Sequence, residues 1–260
     1  MSVETRLSRA VIVELCGLPG AGKTSLASAL GHVQDGASFL RPTLGIAPDV
    51  SAERRLARKL GLVAVETIRR PVLEAKIASR IGRSGQPGTV EAVSRWVQWA
   101  STQSLMGRAR GTPQVHLFDE GVVQALWSLA LRGDPAATLG TLSGSVGRWS
   151  FPDVVIVLDP PVELLVRRLR DRRSAHSRLQ RLSDDAELHA ELVRGRALLD
   201  RLITWWRSAA PDEASVIRIG GAYHDPGVVM HAIDAAVHRI DAKPPIVAVG
   251  GREGASAAGP

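Results

Sequence analysis

Hydrophobic positions recur along this chain in two periods. The runs Ala10–Cys16, Gln114–Glu120, Phe151–Asp159 and Ser215–Ile219 are short, apolar and mostly β-branched or leucine-rich, which predicts strands of an open parallel sheet. Between them the spacing becomes helical. A helix is predicted from Ser51 to Leu60, with Ser51 as cap and Leu56 and Leu60 one turn apart. Val63 to Ile81 continues as helix, restarting near Pro71. Thr89–Arg110 places Val93, Trp96, Val97 and Ala100 on one face, and Val122–Arg132 and Pro135–Arg148 follow as helices. Val162, Leu165, Val166 and Leu169 repeat at i, i+3, i+4 and i+7, marking a helix with one buried face. Asp184–Ala210, with Leu188, Leu192, Leu199, Leu202 and Trp206 inward, and Pro226–Ile240 complete the helices. Gly31–Val50 reads as irregular, Ser84–Gly88 as a loop, and Ser174–Ser177 as a mobile turn.

Strands alternating with helices predict one α/β domain over residues 1–242, and 260 residues suffice to bury a large core. The Gly-, Ala- and Pro-rich segment 243–260 is expected to be a disordered tail. A hydrophobic fraction of 45% and a charged fraction of 23% are ordinary for a soluble protein. The net charge of +7 comes almost entirely from arginine, since lysine occurs only at positions 23, 59, 76 and 243. Without a lysine-rich tail or zinc-finger spacing, that charge is read as serving anionic small molecules, and nucleic acid is not expected. Cys16 is the single cysteine, which excludes an intrachain disulfide or a cysteine-based metal site and suggests a small apolar packing residue. The N-terminal residues do not resemble a secretory signal and no apolar run would span a bilayer, so no membrane is expected and the cytoplasm is the default compartment.

Candidate chemistry begins where the first strand ends. Gly17-Leu18-Pro19-Gly20-Ala21-Gly22-Lys23-Thr24 is G-x-x-x-x-G-K-T, preceded by a strand and followed by a helix starting with Ser25. Its glycines let backbone N–H groups turn toward phosphate oxygens, and the helix N-terminus adds a dipole favourable to anions. Lys23 is expected to reach the β- and γ-phosphates of ATP, and the Thr24 hydroxyl to hold Mg²⁺.

The second candidate is Asp119-Glu120, at the carboxyl end of a predicted strand, where open parallel sheets bind ligands. One carboxylate, Asp119 in the first instance, would serve Mg²⁺, and the other would orient or deprotonate an attacking hydroxyl. A third is the arginine run after Asp159, including Arg168, Arg172, Arg173 and Arg178, whose guanidinium forks suit phosphate oxygens. Arg95, Trp96, Gln98 and Trp99 form a cluster able to stack on a base, although core packing is the favoured reading for its tryptophans. Arg41 is read as solvated rather than as a substrate contact, and Leu142-Ser-Gly144 lacks the residues that would make it a transporter-ATPase signature.

In this order, the motifs resemble the P-loop small-molecule kinases, most closely the thymidylate kinase and deoxynucleoside kinase group, over roughly residues 10–240. The resemblance implies a P-loop NTPase fold, a three-layer α/β/α arrangement with a mostly parallel central sheet and a helical lid at about residues 170–183. It implies ATP and Mg²⁺ as cofactors and transfer of the γ-phosphate to a small-molecule acceptor, a nucleoside monophosphate or nucleoside, with a homodimer allowed. Carried across, Gly17–Thr24 would hold ATP, Glu120 or Asp119 would be the catalytic carboxylate, and Arg168, Arg172, Arg173 and Arg178 the lid arginines. Two positions depart from the thymidylate kinase pattern: Cys16 stands where an acid usually precedes the first loop glycine, with Glu14 further back, and Gly121 stands where arginine usually follows the strand-end acid. The alternatives are a kinase of a non-nucleotide hydroxyl compound, a degenerate kinase fold serving as a binding protein, and a P-loop ATPase or switch acting through a protein partner. The guanine-reading N-K-x-D motif is absent, because the chain has no asparagine.

Overall fold

The computed structural model describes residues 7–32, 39–40, 51–138, 151–172, 178–210, 214–221 and 225–242. Arg41, the 142–144 motif, the 174–177 turn and the tail from 243 lie outside them. The strands β1 (Val11–Gly17), β2 (Phe39–Leu40), β3 (Val115–Phe118), β4 (Val154–Asp159) and β5 (Ser215–Gly220) form a wholly parallel sheet in the order β2-β3-β1-β4-β5. Parallel pairing needs long crossovers, and helices supply them. They are α1 (Lys23–His32), α2 (Ala52–Arg69), α3 (Pro71–Gly82), α4 (Thr89–Ala109), α5 (Val122–Arg132), α6 (Val162–Asp171) and α7 (Asp185–Ala209), and α8 (Pro226–Asp241) follows the last strand. The result is a layered α/β fold with a parallel sheet, in which β1 is central and fully buried and β3 and β4 on either side of it are mostly buried.

Local chemistry sets most boundaries. Ser51 Oγ accepts from Arg54 N, Asp184 caps Ala186 N, and Asp225 caps Gly227 N with Pro226 opening α8. α2 runs unbroken to Arg69 and α3 restarts at Pro71, as the sequence predicts. α2 stops because Pro71 excludes Arg70 from helical geometry, leaving it at φ −142° and ψ 57°. Leu56 and Leu60 do not face the core: they are 53% and 48% exposed, and Leu62, Val63 and Glu66 are buried instead. Val93 on α4 is likewise exposed, whereas Trp99 is fully buried, which places that tryptophan in the core. The segment expected to be irregular contributes β2, a two-residue edge strand paired with Val115 and His116. Two residues are too few to show a period.

Two buried carboxylates tie the layers together. At the N-terminal edge of the sheet, Asp153 Oδ2 accepts from Ile12 N (2.7 Å) and pairs with Arg110 Nη1 (2.6 Å). The backbone of the same residue bonds Ile12 O and Ser215 N, so one position links β1, β4 and β5. At the opposite end, Glu14 is fully buried on β1, and its carboxylate accepts from Val123 N (3.1 Å) and Gln124 N (2.7 Å). It caps α5 in place of Gly121, which has no side chain to do so. Burial pushes the Glu14 carboxyl up to about 7, against the lowering effect of those N–H groups and the Cys16 thiol.

Asp153→Ala would leave Ile12 N without its acceptor and Arg110 without its carboxylate partner, and is expected to lower unfolding free energy by about 2–4 kcal/mol in denaturant titrations. A loss within experimental error would mean that the ladder bonds alone hold this edge. For Glu14, an acid whose pKa is raised from 4.5 to about 7 on folding adds stability below the lower value that is lost as pH rises through the upper one. Thermal melts of wild type and Glu14→Gln at about pH 5 and about pH 8 should therefore diverge. The balance moves toward the variant at the higher pH, by no more than about 3 kcal/mol. A difference that stays constant would place Glu14 in the ordinary carboxylate range.

Candidate active site

The loop following β1 is held from three sides. Gly20 and Gly22 adopt φ of 87° and 97°, a region that side chains rarely enter, and this turns the backbone back toward α1. Gly17 N donates to Gln124 Oε1 (3.2 Å), tying the loop to α5. Arg168 Nη1 donates to Gly20 O (3.2 Å), bracing the loop from α6. Lys23 Nζ donates to Gly17 O (2.6 Å) and is also near Leu18 O (3.4 Å). Desolvation pushes the Lys23 ammonium below the usual lysine range, opposed by the carboxylates Glu120 and Asp119 and assisted by the Arg172 charge. Asp119, Glu120 and Arg172 thus share the electrostatic surroundings of the loop lysine.

That convergence follows from topology. In a parallel sheet all strand C-termini lie along one edge, so β3 ends beside β1 and delivers Asp119-Glu120 next to Gly17–Thr24. A cavity of about 510 Å³ opens there. Its walls include Pro19–Ser25 from the loop, Gln98 and Arg95 from α4, Glu120, and Gln124, Trp127, Ser128 and Arg132 from α5. Arg172 from the end of α6, Leu179 and Leu182 from the segment beyond it, and Glu187 and Glu191 from α7 complete them. Asp119 is half-buried and, like Arg168, does not line this cavity. Arg173 and the side chain of Arg178 lie outside the described residues.

The two departures beside the best motifs have one physical cause. A Cβ on Gly121 would fall 2.3 Å from the Glu14 carboxylate, so no side chain fits after the strand-end acids while Glu14 occupies that space. Cys16 is buried on the same face of β1, with its thiol donating to Glu14 Oε1 (3.3 Å). Burial raises this thiol well above its ordinary range, as does the Glu14 charge, so Cys16 is an uncharged packing residue. The acid sits two residues earlier than the resemblance would place it, beneath α5 rather than in the cavity.

The α4 cluster divides into separate roles. Trp99 is core, and the Trp96 indole donates to the buried Glu74 carboxylate (3.1 Å). Arg95 and Arg132 both reach Glu91 Oε1 (2.8 and 2.6 Å). Burial raises the Glu91 carboxyl, but the two guanidinium groups outweigh it and hold the group below the usual range. Gln98 faces the cavity, with Nε2 donating to Glu120 Oε2 (3.2 Å). Sequence reasoning missed Gln124, Ser128, Glu187 and Glu191 as cavity residues. A signal existed: Gln124, Ser128 and Arg132 recur every fourth residue as the polar stripe of an otherwise apolar α5, and Glu187 and Glu191 repeat likewise on α7.

Thr24 offers a hydroxyl and Asp119 a carboxylate near the loop, hard oxygen donors of the kind Mg²⁺ prefers, although the described residues contain no cluster of three or more ligating side chains. No helix among the described residues is long and apolar enough to cross a membrane.

No family model matches the chain, and no curated protein matches it in sequence. Among solved structures, it is similar to deoxyadenosine kinase from M. mycoides with bound dCTP, at 12% identity over 86% of this chain and 100% of that one, with a TM-score of 0.46. The same kinase with products dCMP and a flexible dCDP bound gives 12% identity, the same coverage and a TM-score of 0.48. Thymidylate kinase from Candida albicans gives 13% identity over 89% of this chain and 94% of that one, with a TM-score of 0.49. Likeness at this level does not reach activity; what the site can do follows from its own residues.

Proposed function

We propose that this protein is an ATP-dependent phosphotransferase that moves the γ-phosphate of ATP to a small acceptor, a nucleoside or nucleoside monophosphate. The observation that carries this reading is one continuous cavity walled by the G-x-x-x-x-G-K-T loop, a strand-end carboxylate and the arginine that closes α6. Its volume of about 510 Å³ suits a small molecule. Phosphoryl transfer needs positioning and charge neutralisation more than covalent chemistry, and these residues supply both.

The loop N–H groups and the α1 dipole bind the phosphates, and Lys23 exchanges its contacts with Gly17 O and Leu18 O for β- and γ-oxygens. Glu120, in the cavity wall and close enough for its charge to oppose the lowering of the Lys23 pKa, orients the acceptor hydroxyl and takes its proton. Arg172, with Arg173 beside it in sequence, neutralises charge on the transferred group, while Arg168 steadies the loop through Gly20. Thr24 and Asp119 would hold Mg²⁺, which when bound neutralises phosphate oxygens. The α5 wall of Trp127, Ser128 and Arg132 receives the body of the acceptor.

Lys23→Ala is expected to reduce ADP release in the presence of a competent acceptor by about 10²–10³-fold, with melting temperature and circular dichroism unchanged. The acceptor is found by a coupled assay across nucleosides, nucleoside monophosphates, sugars and aminoglycosides. Substantial transfer by the lysine variant would sink the assignment, and acceptor-independent ADP release by wild type would indicate an ATPase. Arg172→Ala and Arg173→Ala should each lower turnover at least about tenfold at unaltered thermal stability, since Arg172 is exposed. If both retain full turnover, these arginines are merely a solvated basic face.

A further inference from the structure

Glu120 is tethered from outside the cavity. Its Oε2 accepts from Gln98 Nε2 (3.2 Å), and Gln98 Oε1 accepts from Lys59 Nζ (2.9 Å) on α2. The two ends of this chain determine the orientation of the amide between them. An ammonium has only donors and a carboxylate only acceptors, so the Gln98 carbonyl must face Lys59 and its NH₂ must face Glu120. The flipped amide would set N–H against N–H at one end and two oxygens at the other. Gln98 and Glu120 line the cavity, whereas Lys59 does not. Lys59 is one of only four lysines in a chain otherwise supplied with arginine, and a single carbonyl acceptor suits a compact ammonium better than a planar fork.

We propose that Lys59 is a positioning residue for phosphoryl transfer: acting through Gln98, it holds the Glu120 carboxylate at the acceptor end of the cavity. This rests on the reading of Glu120 as the group that receives the acceptor proton. Without Lys59 the Gln98 amide is anchored at one end only, so the side chain can swing with Glu120 instead of holding it in place. The carboxylate then loses its defined place next to the reacting hydroxyl, a misplacement that costs rate rather than binding. The packing of α2 on α4 thereby becomes part of the site, although no described residue of α2 lines the cavity.

The test is steady-state kinetics with the acceptor found above, on wild type, Lys59→Met, Lys59→Arg, Gln98→Leu and the Lys59→Met/Gln98→Leu double variant. Lys59→Met should lower kcat by about 5–30-fold while acceptor KM and ATP affinity by calorimetry stay within about twofold. Lys59→Arg should recover most of the loss, because one guanidinium N–H can still donate to Gln98 Oε1. The double variant should be no slower than Gln98→Leu alone, as expected if Lys59 works only through the amide. Additive losses, or a rise in acceptor KM at unchanged kcat, would overturn the relay and make Gln98 a direct reader of the acceptor. If Lys59→Met does not fold, Gln98→Leu alone must still show the kcat loss at constant KM. Wild-type protein that transfers phosphate to no acceptor overturns the phosphotransferase reading and the relay together; active wild type with unaffected Lys59 variants overturns the relay only.

Discussion

The contact on which the site depends most is the buried carboxylate of Glu14 beneath the first turn of α5. A helix start leaves backbone donors without partners, and here a strand residue satisfies two of them from below. α5 is thereby docked on β1, and Gln124 can hold the first loop glycine through Gly17 N. The same carboxylate removes the space for any side chain at residue 121, and its neighbour Cys16 completes the apolar face. A charged group in this position is costly, and its pKa near 7 records that cost. What it secures is a junction between the glycine-rich loop, the end of β3 and α5.

Around that junction, opposite charges are arranged without collapsing onto one another. Lys23 is satisfied by loop carbonyls, Glu120 by Gln98, and Arg95 and Arg132 by a shared Glu91. Each therefore keeps its place around the cavity instead of forming one closed cluster. On the far side, Asp159 at the end of β4 pairs with Arg196 of α7, and Arg218 of β5 bridges Asp159 to Asp200. These pairs seat α7 against the sheet edge, which is why Glu187 and Glu191 face the same cavity as the loop. Such partly exposed pairs contribute modestly to stability, and their consequence here is geometric.

Much of the fold and the heart of the site were legible in the chain itself. Continuous apolar runs, helical spacing, capping residues such as Ser51, Asp184 and Asp225, and the G-x-x-x-x-G-K-T motif are local features, set by backbone geometry and side-chain chemistry within a few residues. They placed the parallel sheet, the glycine-rich loop after β1 and the carboxylates that end β3. Burial of particular helix faces was less legible. Leu56, Leu60 and Val93 carry the right hydrophobicity yet lie outside, because the face a helix buries depends on which neighbour it meets.

The sequence alone thus determined that this protein carries a strand–loop–helix suited to phosphate and carboxylates at the end of a parallel strand. Only the tertiary structure decided which residues stand around them. Glu14 meets Val123 across a separation of 109 residues, Lys59 meets Gln98 across 39, and Gln98 meets Glu120 across 22. No periodicity records such meetings, because each depends on how close two helices or a helix and a strand come to lie once the sheet is formed. The departures at Cys16 and Gly121 show this most directly: apart in sequence they look like two flaws in a motif, and in the folded chain they are two sides of one buried carboxylate.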